Sequence, residues 1–147
     1  MSDHLRQFHN NFIQNSKPKE IVSEEILLLC YLTFSTKKNV GFSSHPVYIT
    51  TKALKHLYDK KPAQEYDSIL CNLDKIVRYP DYVYKNPDEK RGNFCIIKAI
   101  EDQKYFCSLE DRAEGGIYVV TAFCLRKENY IKKYELLWSW RDGKSSS

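Results

Sequence analysis

The sequence predicts an α+β fold, with N-terminal helices packed on one face of a four-stranded antiparallel sheet. Three observations lead there. Tyr66, Ile69, Leu70, Leu73, Ile76 and Val77 recur at helical spacing and make one apolar stripe. After Tyr79-Pro80 the period changes, and β-branched and aromatic residues take over. The later strands are joined by short turns, so neighbours in sequence pair antiparallel. Helices first and strands afterwards is the order of a fold that keeps its helices on one face of the sheet. The other face is left for solvent or ligand.

The elements are read in chain order. Residues 1–35 are expected to be helical in two pieces. Leu5, Phe8, Phe12 and Ile13 carry the first, and Asn15-Ser16-Lys17-Pro18 breaks it. Ser23 would cap the second, Glu24 and Glu25 would suit the positive end of its dipole, and ILLLCYLTF would be buried nearly all round. Residues 36–46 read as a loop. Val47-Tyr48-Ile49 is a short strand, after which Thr50 or Thr51 caps a helix. That helix has Ala53, Leu54, Leu57 and Tyr58 on its apolar side. Lys52, His56 and Lys60, at i, i+4 and i+8, share the other. Pro62 opens the long striped helix, and Tyr79-Pro80 stops it. Four strands follow, at 82–84, 94–100, 104–109 and 117–125. Strict alternation along the last would put Ile117, Val119, Thr121 and Phe123 on one face. The remainder, with Tyr130, Tyr134, Trp138 and Trp140 among basic residues, is a tail whose middle packs and whose end is disordered. The division expected is a helical N-terminal appendage at 1–43, a main domain at 44–135 and a tail at 136–147.

Composition bounds the function. At 147 residues the chain is long enough for one real core, and 42% apolar content excludes a disordered chain. A net charge of +4 is compatible with a nucleic-acid partner. The five cysteines are an odd number without CxxC spacing, so they read as buried small hydrophobes in a reducing, cytoplasmic setting. The N-terminus MSDHLRQFHNN has no secretory h-region, and the longest apolar run is far short of the roughly 20 residues of a membrane span. No membrane association is expected.

The four histidines form no HxH, HxxxH or HExxH pair, and neither a phosphate loop nor a GxSxG elbow occurs. Chemistry without metal or other cofactor is therefore expected. His56 is the histidine placed for work: between two ammonium groups it can take a proton while they hold a phosphate. The plainer reading is a surface histidine on a solvated helix face. Thr121 has a plainer reading too, as a strand residue facing the core. The tyrosines (Tyr82, Tyr84, Tyr105, Tyr118) would stack RNA bases if exposed and fill the core if buried.

Over 47–125 the chain resembles the phage-type members of the barnase, EndoU, colicin and RelE-like (BECR) nuclease superfamily. The resemblance rests on VYIT, ALKHLYDKKP, IVRYPDYV and VVTAF in that order and spacing. It implies helices on a four-stranded antiparallel sheet, in enzymes or toxins that cleave RNA. Attack of the ribose 2′-hydroxyl on the adjacent phosphate needs a base, an acid and cations, and no metal. Carried over, His56 would be the acid–base residue and Thr121 the polar residue on the last strand. Lys98, which interrupts an apolar strand, and Arg126, which closes the last one, are added here as candidates to reach the phosphate. Lys52, Lys60, Arg126 and Tyr48 are the candidate substrate contacts. Many phage-type members carry a second histidine shortly after the first. Here that stretch reads Asp59-Lys60-Lys61-Pro62, and no glutamate is placed as a barnase-type base.

The expected function is a metal-independent RNA endonuclease, toxin-like, whose 1–43 appendage serves a homodimer or a protein partner. The missing histidine keeps open an inactive nuclease-like fold that binds RNA or protein. A third reading makes ILLLCYLTF the working surface of an interaction protein.

Overall fold

The computed structural model describes residues 3–88, 90, 92–140 and 144–145. Among these residues there are four α-helices: α1 (Asp3–Phe12), α2 (Phe34–Val40), α3 (Thr51–Lys60) and α4 (Ala63–Arg78). Seven strands share one sheet: β1 (Ile26–Tyr31), β2 (Pro46–Thr50), β3 (Tyr82–Lys85), β4 (Phe94–Ile100), β5 (Gln103–Asp111), β6 (Ile117–Cys124) and β7 (Glu135–Ser139). A two-residue strand, β8 (Lys144–Ser145), extends it. The spatial order is β1-β2-β6-β5-β4-β3-β7-β8. All pairs are antiparallel except β2 with β6.

The centre of the sheet, β3-β4-β5-β6, is the expected meander, and the expected stripe of α4 lies wholly in the core. Each of its six side chains contributes roughly 1.5–3 kcal/mol by leaving water. They meet Ile96, Tyr105, Cys107, Leu109, Ile117, Val119, Ala122 and Cys124 on the helix-facing side of the sheet. The sheet is nevertheless wider than the four strands expected, because both chain ends join it.

At the N-terminal end, ILLLCY is a strand and not a helix. A short apolar run has no period to distinguish the two, and pairing decides. Ile26 lies opposite Thr50, and Tyr31 opposite Pro46. Ser23 caps nothing. Its carbonyl accepts from Thr51 Oγ1 at 2.7 Å, and Glu25 N donates to the same hydroxyl at 3.0 Å. Phe34–Val40, running from the expected helix end into the loop expected at 36–46, is helical. Thr33 Oγ1 accepts from Thr36 N at 3.2 Å, and Gly41 closes the helix in the left-handed conformation, φ 93°. Thus 1–43 is not a helical appendage: α1 rests on β1 and α4, and Leu5, Phe8 and Ile13 belong to the main core. At the other end, β7 pairs with β3 and buries Trp138. Of the chain end expected to be disordered, Lys144–Ser145 pairs with β7, while 141–143 and 146–147 lie outside the described residues.

One irregularity positions the site. Ser108 pairs with Thr121 but Leu109 with Val119, so Val120 is an extra residue in β6. The bulge reverses the alternation. Ile117 and Val119 face the helices, as do Ala122 and Cys124 beyond the bulge, while Phe123 packs on the opposite face and Thr121 shares a cavity with it there. The single face expected for Ile117, Val119, Thr121 and Phe123 is corrected accordingly.

Candidate active site

β2 and β6 pair only at Val47–Ile117 and Tyr48–Tyr118. The chain then turns into α3, which lies beside the rest of β6. Thr50 Oγ1 caps the helix by accepting from Ala53 N at 3.1 Å. Leu54 and Leu57 are buried, so Lys52, His56 and Lys60 are left exposed at the rim of the sheet.

His56 lines two cavities. One, about 450 Å³, lies over the face opposite the helices and is lined by His56, Lys60, Lys61, Ser108, Thr121, Phe106, Phe123, Tyr130 and Tyr134, with Asn86 and Asp88. The other, about 490 Å³, is lined by His56, Lys52, Asp59, Glu110, Arg112 and Tyr118, with further charged residues. Among the described residues, Lys52, Lys60 and Lys61 have no ion-pair partner. Lys61 Nζ lies 5.1 Å from the centroid of the Phe123 ring. The unneutralised ammoniums make the surroundings of His56 suited to an anion.

Asp59, one turn from His56, is committed to structure. Its Oδ1 accepts from the buried Lys55 ammonium at 2.6 Å, and its Oδ2 from Lys19 N at 3.0 Å. Burial pushes this carboxyl up, but the Lys55 and Lys19 hydrogen bonds, the Lys55 charge and neighbouring His56 outweigh it and hold it below its ordinary value. At the far wall, burial, with the neighbouring Tyr130, raises the Tyr134 phenol to about 12, so it stays a neutral donor.

The structure therefore brings His56, Thr121 and Lys60 to one cavity and Lys52 to the adjoining one. It does not bring the other candidates. Lys98 Nζ pairs with Asp81 Oδ1 at 3.2 Å and lines a separate hollow with Trp138 and Trp140. Arg126 lies beyond β6, 3.4 Å from Glu65 Oε1, whose other oxygen accepts from Cys124 N. Tyr48 lies against Tyr118, with ring centroids 5.4 Å apart, over Gly116. A Cβ at that glycine would come within 2.7 Å of the ring. The other described histidines are elsewhere: His4 is exposed on α1, His9 is buried with Nδ1 2.8 Å from Tyr66 Oη, and His45 meets Leu32 O.

Ser108 was not anticipated. Its hydroxyl is buried, 1% exposed, and has no hydrogen-bond partner among the described residues. A lone serine in the apolar strand KYFCSL was the available signal. Among the described residues no three His, Cys, Asp or Glu side chains converge as metal ligands would. No helix among them is long and apolar enough to cross a membrane. All five cysteines are free; burial raises the Cys30 and Cys95 thiols to about 12 and also raises Cys107, so these are packing residues.

No curated protein and no solved structure matches the chain. The model of one family, described as phage-Barnase-EndoU-ColicinE5/D-RelE like nuclease3, matches residues 31–133, a span holding α3, the meander and both cavities' shared histidine. The chain belongs to that nuclease family.

Proposed function

We propose that this family member is an RNA endonuclease that cleaves by 2′-hydroxyl transphosphorylation without a metal. The observation that carries the reading is the meeting of His56, Thr121 and the unpaired Lys60 and Lys61 around one cavity. A phosphate drawn to the lysines lies within the reach of the imidazole. His56 takes the proton of the ribose 2′-hydroxyl, the 2′-oxygen attacks phosphorus, and the bond to the 5′-oxygen breaks. The departing oxygen takes its proton from solvent, since no second histidine lines the cavity. Lys60 and Lys61 neutralise the charge that builds on the phosphoryl oxygens, and the Thr121 hydroxyl donates to one of them. The products are a 2′,3′-cyclic phosphate and a 5′-hydroxyl. RNA is then the partner and the cytoplasm the site of action.

The test is incubation of the pure protein with total cellular RNA in EDTA, beside His56→Ala. Cyclic-phosphate ends are expected, with a rate about 10²–10⁴ lower in the variant. Equal cleavage by both proteins would remove His56 from the mechanism. Dependence on added metal would remove the metal-free route.

A second reading has its own observation. With a single histidine at the site, the acid half of acid–base catalysis has no dedicated group, as in an inactive nuclease fold that binds RNA. Intact RNA, together with salt-sensitive binding on filters, would select it.

A further inference from the structure

The two cavities that share His56 are not equivalent. The one toward Arg112 is ionic. Its aromatic side chain, Tyr118, already carries the Arg112 guanidinium 3.9 Å from its ring centroid, and Arg112 is paired with Glu110. The other is aromatic. Phe106 and Phe123 stack across β5 and β6 with centroids 4.5 Å apart and planes at 17°. Tyr130 meets both edge-on at 5.4 Å. Among these rings sits the buried, unpartnered Ser108 hydroxyl. Such a group costs stability unless a ligand or water completes it.

We propose that the aromatic cavity is a nucleobase subsite: it takes the base of the nucleotide next to the scissile phosphate, with Ser108 hydrogen-bonded to the base edge. Bases are held by stacking on aromatic side chains, which every base can do, and distinguished by hydrogen bonds at their edges. Lys60 and Lys61 line the same cavity, so base and phosphate are bound together. At about 450 Å³ the cavity is within the size range of small-ligand sites. The ionic cavity beyond His56 receives the sugar–phosphate chain of the following residue. The inference rests on the nuclease reading for its placement of the phosphate, but its test does not require cleavage.

The four 3′-nucleoside monophosphates, ribose 5-phosphate and inorganic phosphate are titrated calorimetrically into the full-length protein at low salt. At least one nucleotide is expected to bind about tenfold or more tighter than either base-free phosphate. Tyr130→Ala removes an exposed ring and is expected to lower nucleotide affinity about tenfold. Ser108→Ala is expected to lower it about 3- to 10-fold for the preferred base, with thermal stability unchanged or raised. Neither variant should alter binding of inorganic phosphate. Nucleotides binding no tighter than inorganic phosphate, or losses in the variants equal for nucleotide and phosphate, would overturn the subsite. Nucleotide selectivity in a protein that leaves RNA intact would keep the subsite and overturn the nuclease reading. Cleavage without nucleotide selectivity would do the reverse.

Discussion

The two faces of the central sheet are built from the same strands and serve opposite ends. On one, Tyr105, Cys107, Leu109, Val119 and Ala122 meet the stripe of α4 in a continuous core. On the other, Cys95, Ile97, Phe106 and Leu125 form a smaller cluster under Ile131 and Tyr134, beside a cavity holding an unpartnered hydroxyl and rimmed by unpaired lysines. The closed face is packed shut and stabilises the fold, although the Trp138 indole nitrogen in the same core has no hydrogen-bond partner among the described residues. The open face leaves polar and aromatic groups unfinished. The contrast teaches that here stability and chemistry are separated by the pleat of single strands, residue by residue, and not by domain.

That division can be broken by experiment. The largest effect is expected from Leu73→Ala, which empties a fully buried position in α4. It should lose about 2–5 kcal/mol in chemical denaturation, while cleavage per folded molecule stays unchanged. Thr121→Val, on the open face, should do the reverse. A stability change under about 1 kcal/mol is expected with a roughly hundredfold fall in kcat for RNA cleavage. A larger stability loss for Thr121→Val than for Leu73→Ala would abolish the distinction. The smallest effect concerns His9, a polar group inside the closed face. Burial first, and then the charge of Arg6, lower its pKa below the ordinary 6.5, against a smaller opposing effect of Asp67. The unfolded chain therefore binds the proton more readily. The full stability is present above pH 6.5 and is lost as pH falls through the folded value. The loss is at most about 1.4 kcal/mol per pH unit, and thermal melts of His9→Gln should lack it. A variant that kept the same slope would show that His9 is not the group responsible.

Much of the closed face was legible in the sequence, because the periods of α4 and of the four central strands are set by burial on one side. β1 and α2 were not. An apolar run of six residues looks the same in either geometry, and Thr51, which ties down the 23–25 backbone, lies 26 residues from Glu25. The candidate site was half legible. Lys52, His56 and Lys60 share a helix face by spacing alone, and Thr121 was reached only through the VVTAF resemblance. Lys98 looked out of place in an apolar strand because its partner, Asp81, comes from the bend just before β3. Arg126 likewise finds Glu65 on another element. Such long-range pairs depend on which helix crosses which strand end, and no local pattern encodes that.

The extra residue at Val120 bears on how this site could have arisen. A pleat has a phase, and the phase beyond the bulge is fixed by counting residues, whatever their identities. Were Val120 paired instead of set aside, strict alternation would turn Thr121 and Phe123 inward and Ala122 and Cys124 out, with no side chain replaced. The polar and stacking groups of the cavity therefore depend on the strand setting one residue aside as much as on composition. A residue gained or lost at the bulge is therefore absorbed without disturbing either face, a change of length that a lineage could make while keeping this site.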